Sequence, residues 1–246
     1  MMPPFCRILA LAFVLTGAAR AQTVLVSNLA TANNIGSGPW TSFNSSTWEA
    51  AGFTTGSTPM TLSSATLPLQ FSTLDDRTYT VVAYLFSSNG SVPTGTGSGG
   101  ILATSDSFIL SGNTGLANYT FTFTSTPILA ASTTYDLVLG VTSVTGSGSV
   151  IAAWGASNDL SETGLSGWSI ANAFAQSGNS GASWILSSDF GQAGAYRFSL
   201  SGDAAAIPEP STCCAVIGSA ALLAAFTIRR KLKPEAQRKK ARSSHV

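Results

Sequence analysis

The chain has 246 residues, enough for one or two domains, and only 9% of them are charged, against about 25% in an average globular protein. That composition excludes a coiled coil, a helical bundle and a typical cytosolic enzyme. The formal net charge of +1 conceals a segregation: eight of the twelve Lys and Arg residues lie between Arg229 and Arg242 and two lie at Arg7 and Arg20. Residues 22–207 keep two basic residues, Arg77 and Arg197, against nine acids, a formal charge of −7. Such a body has no basic surface for nucleic acid.

The N-terminus reads as a secretory signal peptide over residues 1–21. Arg7 gives a positive start, Ile8 to Ala18 an apolar run, and Ala19-Arg20-Ala21 the small-x-small cleavage pattern, so that Gln22 becomes the new N-terminus. Cys6 leaves with this segment. The other two cysteines, Cys213 and Cys214, also lie outside the body, so residues 22–203 can form no internal disulfide and must be held by core and sheet pairing.

Period-two patterns mark strands in the body. Tyr119, Phe121 and Phe123 alternate with threonines, and Tyr135, Leu137, Leu139 and Val141 repeat the pattern, as do Tyr196, Phe198 and Leu200. Thr78 to Phe86 is apolar on both faces and suits a central strand covered on each side. Weaker strands are expected at Thr23–Ser27, Met60–Phe71, Ser105–Leu110, Ser149–Trp154 and Ala182–Leu186, separated by Gly- and Ser-rich turns such as Ser87 to Gly100. No helical stripe interrupts them. Eight to ten short strands predict an all-β fold, a single antiparallel β-sandwich of jelly-roll type over residues 22–203.

The body is short of catalytic side chains. The one histidine is His245 in the basic tail, and the body has neither cysteine nor lysine, so imidazole, thiol and Schiff-base chemistry have no residues there. Carboxylates remain, and a pair of them at about 5–10 Å would suffice for glycoside hydrolysis. Asp75-Asp76 is the best local candidate for a hard-cation site, with a turn paired to Arg77 as the alternative. We expect no catalytic residues, cofactor or metal. All five tryptophans, Trp40, Trp48, Trp154, Trp168 and Trp184, fall in the body. Trp168 and Trp184 flank Gly- and Ser-rich loops, where an exposed ring stacks on a sugar and a buried one closes the end of a sandwich.

After the body, residues 204–212 form a linker carrying Pro208-Glu209-Pro210, residues 213–228 an apolar run and residues 229–246 a basic tail led by Arg229, Arg230 and Lys231. Sixteen residues of helix span roughly 24 Å, short of a hydrocarbon core of about 30 Å, and the basic stop favours the cytoplasmic side. This order of motif, apolar run and basic cluster resembles the PEP-CTERM sorting signal of Gram-negative bacteria. The resemblance covers about residues 207–233; the chain departs from it by continuing from Leu232 to Val246. It implies secretion machinery and an exosortase-type membrane protease as partners, transient residence in the inner membrane by the C-terminal helix, and release to the cell surface or to extracellular polysaccharide.

A second resemblance lies in the body. Phe53-Thr54-Thr55-Gly56-Ser57, Leu85-Phe86-Ser87-Ser88-Asn89-Gly90-Ser91-Val92-Pro93 and Leu129-Ala130-Ala131-Ser132-Thr133-Thr134-Tyr135 are similar to the choice-of-anchor R domain. That family implies an extracellular β-domain and brings no catalytic residues to transfer. The expected function is a non-enzymatic, exosortase-sorted surface or matrix protein, and the alternative is a carbohydrate-binding module using exposed tryptophans.

Overall fold

A computed structural model describes residues 22–33, 42–73, 76–90, 92–95, 97–148, 150–187 and 194–205. The signal segment with Ala19 and Ala21, Trp40, Asp75, Asp189, the Pro208-Glu209-Pro210 motif, the apolar run and Arg229, Arg230 and Lys231 lie outside the described residues.

The described residues are all-β. In chain order the strands are β1 (Thr23–Ser27), β2 (Trp48–Thr54), β3 (Met60–Thr73), β4 (Thr78–Ser87), β5 (Ile101–Leu110), β6 (Asn113–Thr122), β7 (Ile128–Leu129) and β8 (Thr134–Thr145), followed by β9 (Val150–Trp154), β10 (Ala156–Ser157), β11 (Thr163–Gly164), β12 (Ser169–Ser177), β13 (Ile185–Leu186), β14 (Ala195–Tyr196) and β15 (Ser199–Ala204). One 3-10 turn, Gly97–Gly100, precedes β5. Every pairing between these strands is antiparallel.

Two sheets carry the fold. A seven-stranded sheet runs β11-β1-β15-β3-β6, with β7 and β9 also paired to β3, and a six-stranded sheet runs β13-β12-β2-β8-β4-β5. The long strand β3 is bordered on one side by β15 and then β9, which leave a gap between Thr66 and Leu69. Pro68 sits in that gap; its carbonyl accepts the Gly155 N–H at 2.8 Å, so the N–H it lacks would have met no partner strand.

Rings from the two sheets meet in the core between them. Phe71 of β3 packs edge-on to Tyr79 of β4 at 5.3 Å between centroids, and Phe108 of β5 meets Phe121 of β6 at 5.0 Å. Phe53 of β2 lies against Phe198 at 6.4 Å. Strand β4 is covered on both faces, as its apolar run predicts: Val81, Ala83 and Leu85 enter this core, whereas Val82, Tyr84 and Phe86 join a second apolar cluster on the outer face of the six-stranded sheet.

Three details differ from the sequence expectation. Tyr196, Phe198 and Leu200 are all buried, but the segment is two strands: β14 pairs with β10, β15 pairs with β1 and β3, and Arg197 N–H bonds to the Gly155 carbonyl where the chain passes between them. Within Ala182–Leu186 only Ile185 and Leu186 pair, because Ala182 and Ser183 are used in a turn whose N–H groups bond to the carbonyl and Oδ1 of Asn179. Strands β2 and β12, rich in alanine, carry no alternating signal and enter the sheet beside β8.

First and last strands are neighbours. Thr23 pairs with Gly202, and Ala204 pairs with Met60, so the described chain enters and leaves the seven-stranded sheet at the end of β3 opposite Thr73.

Candidate functional site

The structure separates the described tryptophans by face. Trp154 is buried with its ring stacked on Tyr196 at 4.5 Å, and its Nε1 donates to the Arg197 carbonyl at 2.8 Å. Trp168 is 7% exposed and stacked parallel to Phe53 at 6.2 Å. A ring so placed closes the core and offers no face to a sugar, the buried one of the two alternatives weighed for Trp168. Trp184 lies on the other side of the six-stranded sheet, edge-on to Phe86 at 6.4 Å, and there it joins Trp48, which sequence reasoning did not single out.

This outer face is built from strand parity. Trp48, Ala50 and Gly52 of β2, Asp136, Val138 and Gly140 of β8, and Val82, Tyr84 and Phe86 of β4 alternate outward. Trp48 stacks on Tyr84 at 5.3 Å across Gly140, where a Cβ would come within 2.9 Å of both rings; glycine is what lets the rings meet. Gly181, at φ +84°, closes over Trp48 from the turn before β13. That turn is pinned by Ser177, whose Oγ accepts the Gly181 N–H at 2.8 Å, and by Ser180, whose N–H donates to the Ser46 carbonyl at 2.8 Å.

Asp136 occupies the centre of one row, paired with Gly52 on one side and Phe86 on the other. It is 2% exposed, and burial raises its carboxyl to about 6, against the opposing effect of a hydrogen bond with Ser88. Its Oδ2 has no hydrogen-bond partner, and neither do the Nε1 atoms of Trp48 and Trp184, all three being buried. One acceptor and two donors thus stand unmatched on one face.

The second buried acid faces the opposite way. Glu49, next to Trp48 in β2, points into the core with 0% exposure. Its Oε2 accepts the Tyr196 hydroxyl at 2.5 Å and its Oε1 accepts from Gln176 Nε2 at 2.8 Å. Burial drives its pKa well above 4.5 in spite of these two bonds. Glu49 and Asp136 lie on opposite faces of one sheet, so they cannot converge on one substrate. Three other acids hold turns and edges: Asp106 Oδ1 accepts from Thr122 N at 2.8 Å, Asp159 Oδ1 from Ser161 N at 2.9 Å, and Glu162 Oε2 from Ile170 N at 2.7 Å. The bond from Ser161 holds the Asp159 carboxyl below its ordinary value. Asp76 is exposed and accepts from Ser147 N at 3.3 Å, a bond to the loop after β8 and not the pairing with Arg77 weighed for it. Among the described residues no three His, Cys, Asp or Glu side chains gather as metal ligands.

A cleft of about 480 Å³ opens at the end of the two sheets where β3 leads to β4, between residues 42–45, Arg77, Tyr79, Val144 and residues 150–152. Arg77 is therefore a site candidate that no motif announced. Among the described residues no helix is long and apolar enough to cross a membrane.

No protein-family model matches the chain, and no curated protein matches it.

Proposed function

We propose that the protein is an exported, non-catalytic component of the cell surface or extracellular matrix, sorted by an exosortase-type protease and built on a jelly-roll sandwich. The observation that carries the reading is the order of signals in the sequence: a secretory leader ending at Ala21, an acidic body without lysine, and Pro208-Glu209-Pro210 followed by an apolar run and Arg229-Arg230-Lys231. The strand orders β1-β15-β3-β6 and β2-β8-β4-β5, with β9 to β14 inserted before the last strand, support the jelly roll. Opposed Glu49 and Asp136 support a body without paired-carboxylate catalysis. Adjacent entry and exit at Thr23 and Ala204 suit a domain carried on a single terminal anchor.

Intact mass of the protein from envelope and culture fractions of its host tests this. The expected product begins near Gln22 and ends near Pro208. A product that still carries Val246 in every fraction overturns sorting and leaves a permanent anchor.

The aromatic outer face favours a second reading, a carbohydrate-binding module. Half-buried Trp48 and Trp184 keep part of their rings in solvent, where the C–H face of a neutral sugar can stack. On this reading a neutral oligosaccharide shifts the tryptophan emission of the full chain, and Trp184→Ala weakens that binding by about tenfold or more. An unchanged affinity in that variant ends it.

A further inference from the structure

We propose that the cleft beside Arg77 binds a hydroxylated carboxylate, a sugar acid of hexuronate size, with the guanidinium taking the carboxylate. This site is separate from the aromatic outer face, and the inference does not depend on how the protein is sorted. The cleft measures about 480 Å³, within the range of small-ligand sites. It lies at the Thr73 end of β3, away from the end where Thr23 and Ala204 enter and leave.

The chemistry of the lining selects the ligand. Arg77 is one of two basic residues in a body of formal charge −7, and it is placed in the wall of this cleft. Its Nη1 donates to the Gly148 carbonyl at 2.7 Å, and its Nε is buried without a partner. A guanidinium carries five N–H donors in a plane that matches a carboxylate, and it is the Nη edge of this one that is left to meet a ligand. Beside it in the lining stands Tyr79, close enough for the Arg77 charge to act on its phenol. A phenol hydroxyl both donates to and accepts from a ligand hydroxyl. Asn44 stays occupied, its Oδ1 accepting from Ser46 and Thr47 and its Nδ2 donating to Thr47, so it shapes the rim instead of reading the ligand. Val144 and Ile151 give an apolar wall for the C–H face of a sugar ring.

Charge argues against a dianion. One guanidinium balances one carboxylate, whereas a phosphate would meet the same single cation inside a strongly negative domain, with Asp76 next in sequence. A neutral sugar would leave the guanidinium without its complement.

Calorimetric titration of the full chain in detergent micelles, with glucuronate, glucose, acetate and inorganic phosphate at equal ionic strength, tests the proposal. The expected order places glucuronate tightest by about tenfold over each of the other three. Arg77→Gln is expected to abolish that preference. Ile151 is 52% exposed, so Ile151→Glu leaves thermal unfolding unchanged while its carboxylate at the rim weakens glucuronate binding severalfold. Should Arg77→Gln fail to fold, the Ile151 variant decides. Equal binding of acetate or phosphate means a general anion site and overturns the sugar-acid assignment, as does equal binding of glucose. Glucuronate affinity that survives both substitutions places the ligand elsewhere and overturns the cleft.

Discussion

Replacing Glu49 by alanine is expected to lower stability by about 3 kcal/mol or more, because Tyr196 and Gln176 lose the acceptor that Glu49 gives them and a void is left behind. Tyr196, wedged between Trp154 at 4.5 Å and Phe174 at 4.6 Å, would keep a buried hydroxyl with its 2.5 Å acceptor gone. Gln176 would lose the acceptor for its Nε2. At a cost of 2–4 °C per kcal/mol for a domain of this size, the melting temperature falls by roughly 6–12 °C. Glu49→Gln separates shape from charge. It keeps the volume and an acceptor oxygen, so it is expected to cost far less than the alanine variant. Its second effect is on pH dependence. The folded carboxyl holds its proton above 4.5, where the unfolded one releases it, so folding takes up a proton and stability falls as pH rises from about 4.5 towards the folded value, by about 1.4 kcal/mol per pH unit. Urea melts from pH 4 to 8 would show that slope in the parent and a reduced one in Glu49→Gln. Equal slopes in the two proteins would mean that Glu49 is ionised in the core.

Strands were legible in the sequence where the two faces differ in chemistry. In β6, Phe121 is buried while Thr120 and Thr122 are exposed, and that contrast is what a period-two reading detects. In β2, Trp48-Glu49-Ala50-Ala51-Gly52 has no such contrast, because both faces are covered and the small residues are set by what lies over them. Gly52 leaves room for Asp136 and Ala171, and Ala50 lies under the aromatic cluster with Trp48. Local sequence gave no way to see this, since the rings that demand small neighbours come from β4 and the turn before β13.

The same limit governs the site. Trp168 and Trp184 both adjoin Gly- and Ser-rich turns, yet one closes the core against Phe53 and the other covers the outer face beside Phe86. Which side a ring takes follows from register in β12 and β13, and register is a property of strand pairs. Glu49 and Asp136 were visible only as two acids among nine in the body. Their opposite orientations appear once β2 and β8 are aligned with Gly52 against Asp136 and Glu49 against Leu139. The cleft around Arg77 draws on four separate stretches of chain, so no local motif could announce it.

Asp136 supports the second large prediction, of opposite sign to the first. Its carboxyl titrates at about 6 in the folded protein and near 3.8 when unfolded. Below pH 3.8 both states are protonated and the group opposes nothing; between 3.8 and about 6 the folded state binds the extra proton and stability is lost as pH rises. Above 6 the loss is complete, about 3 kcal/mol by the usual 1.36 kcal/mol per pKa unit. Asp136→Asn removes this penalty, so at pH 8 it is expected to raise the melting temperature by several degrees. At pH 4 the parent is already nearly neutral at this position, and the same variant should change little. The difference between the two pH values is the decisive quantity, because any packing effect of the amide is present at both. An equal shift at pH 4 and pH 8 would show that the Asp136 carboxylate is compensated on the outer face.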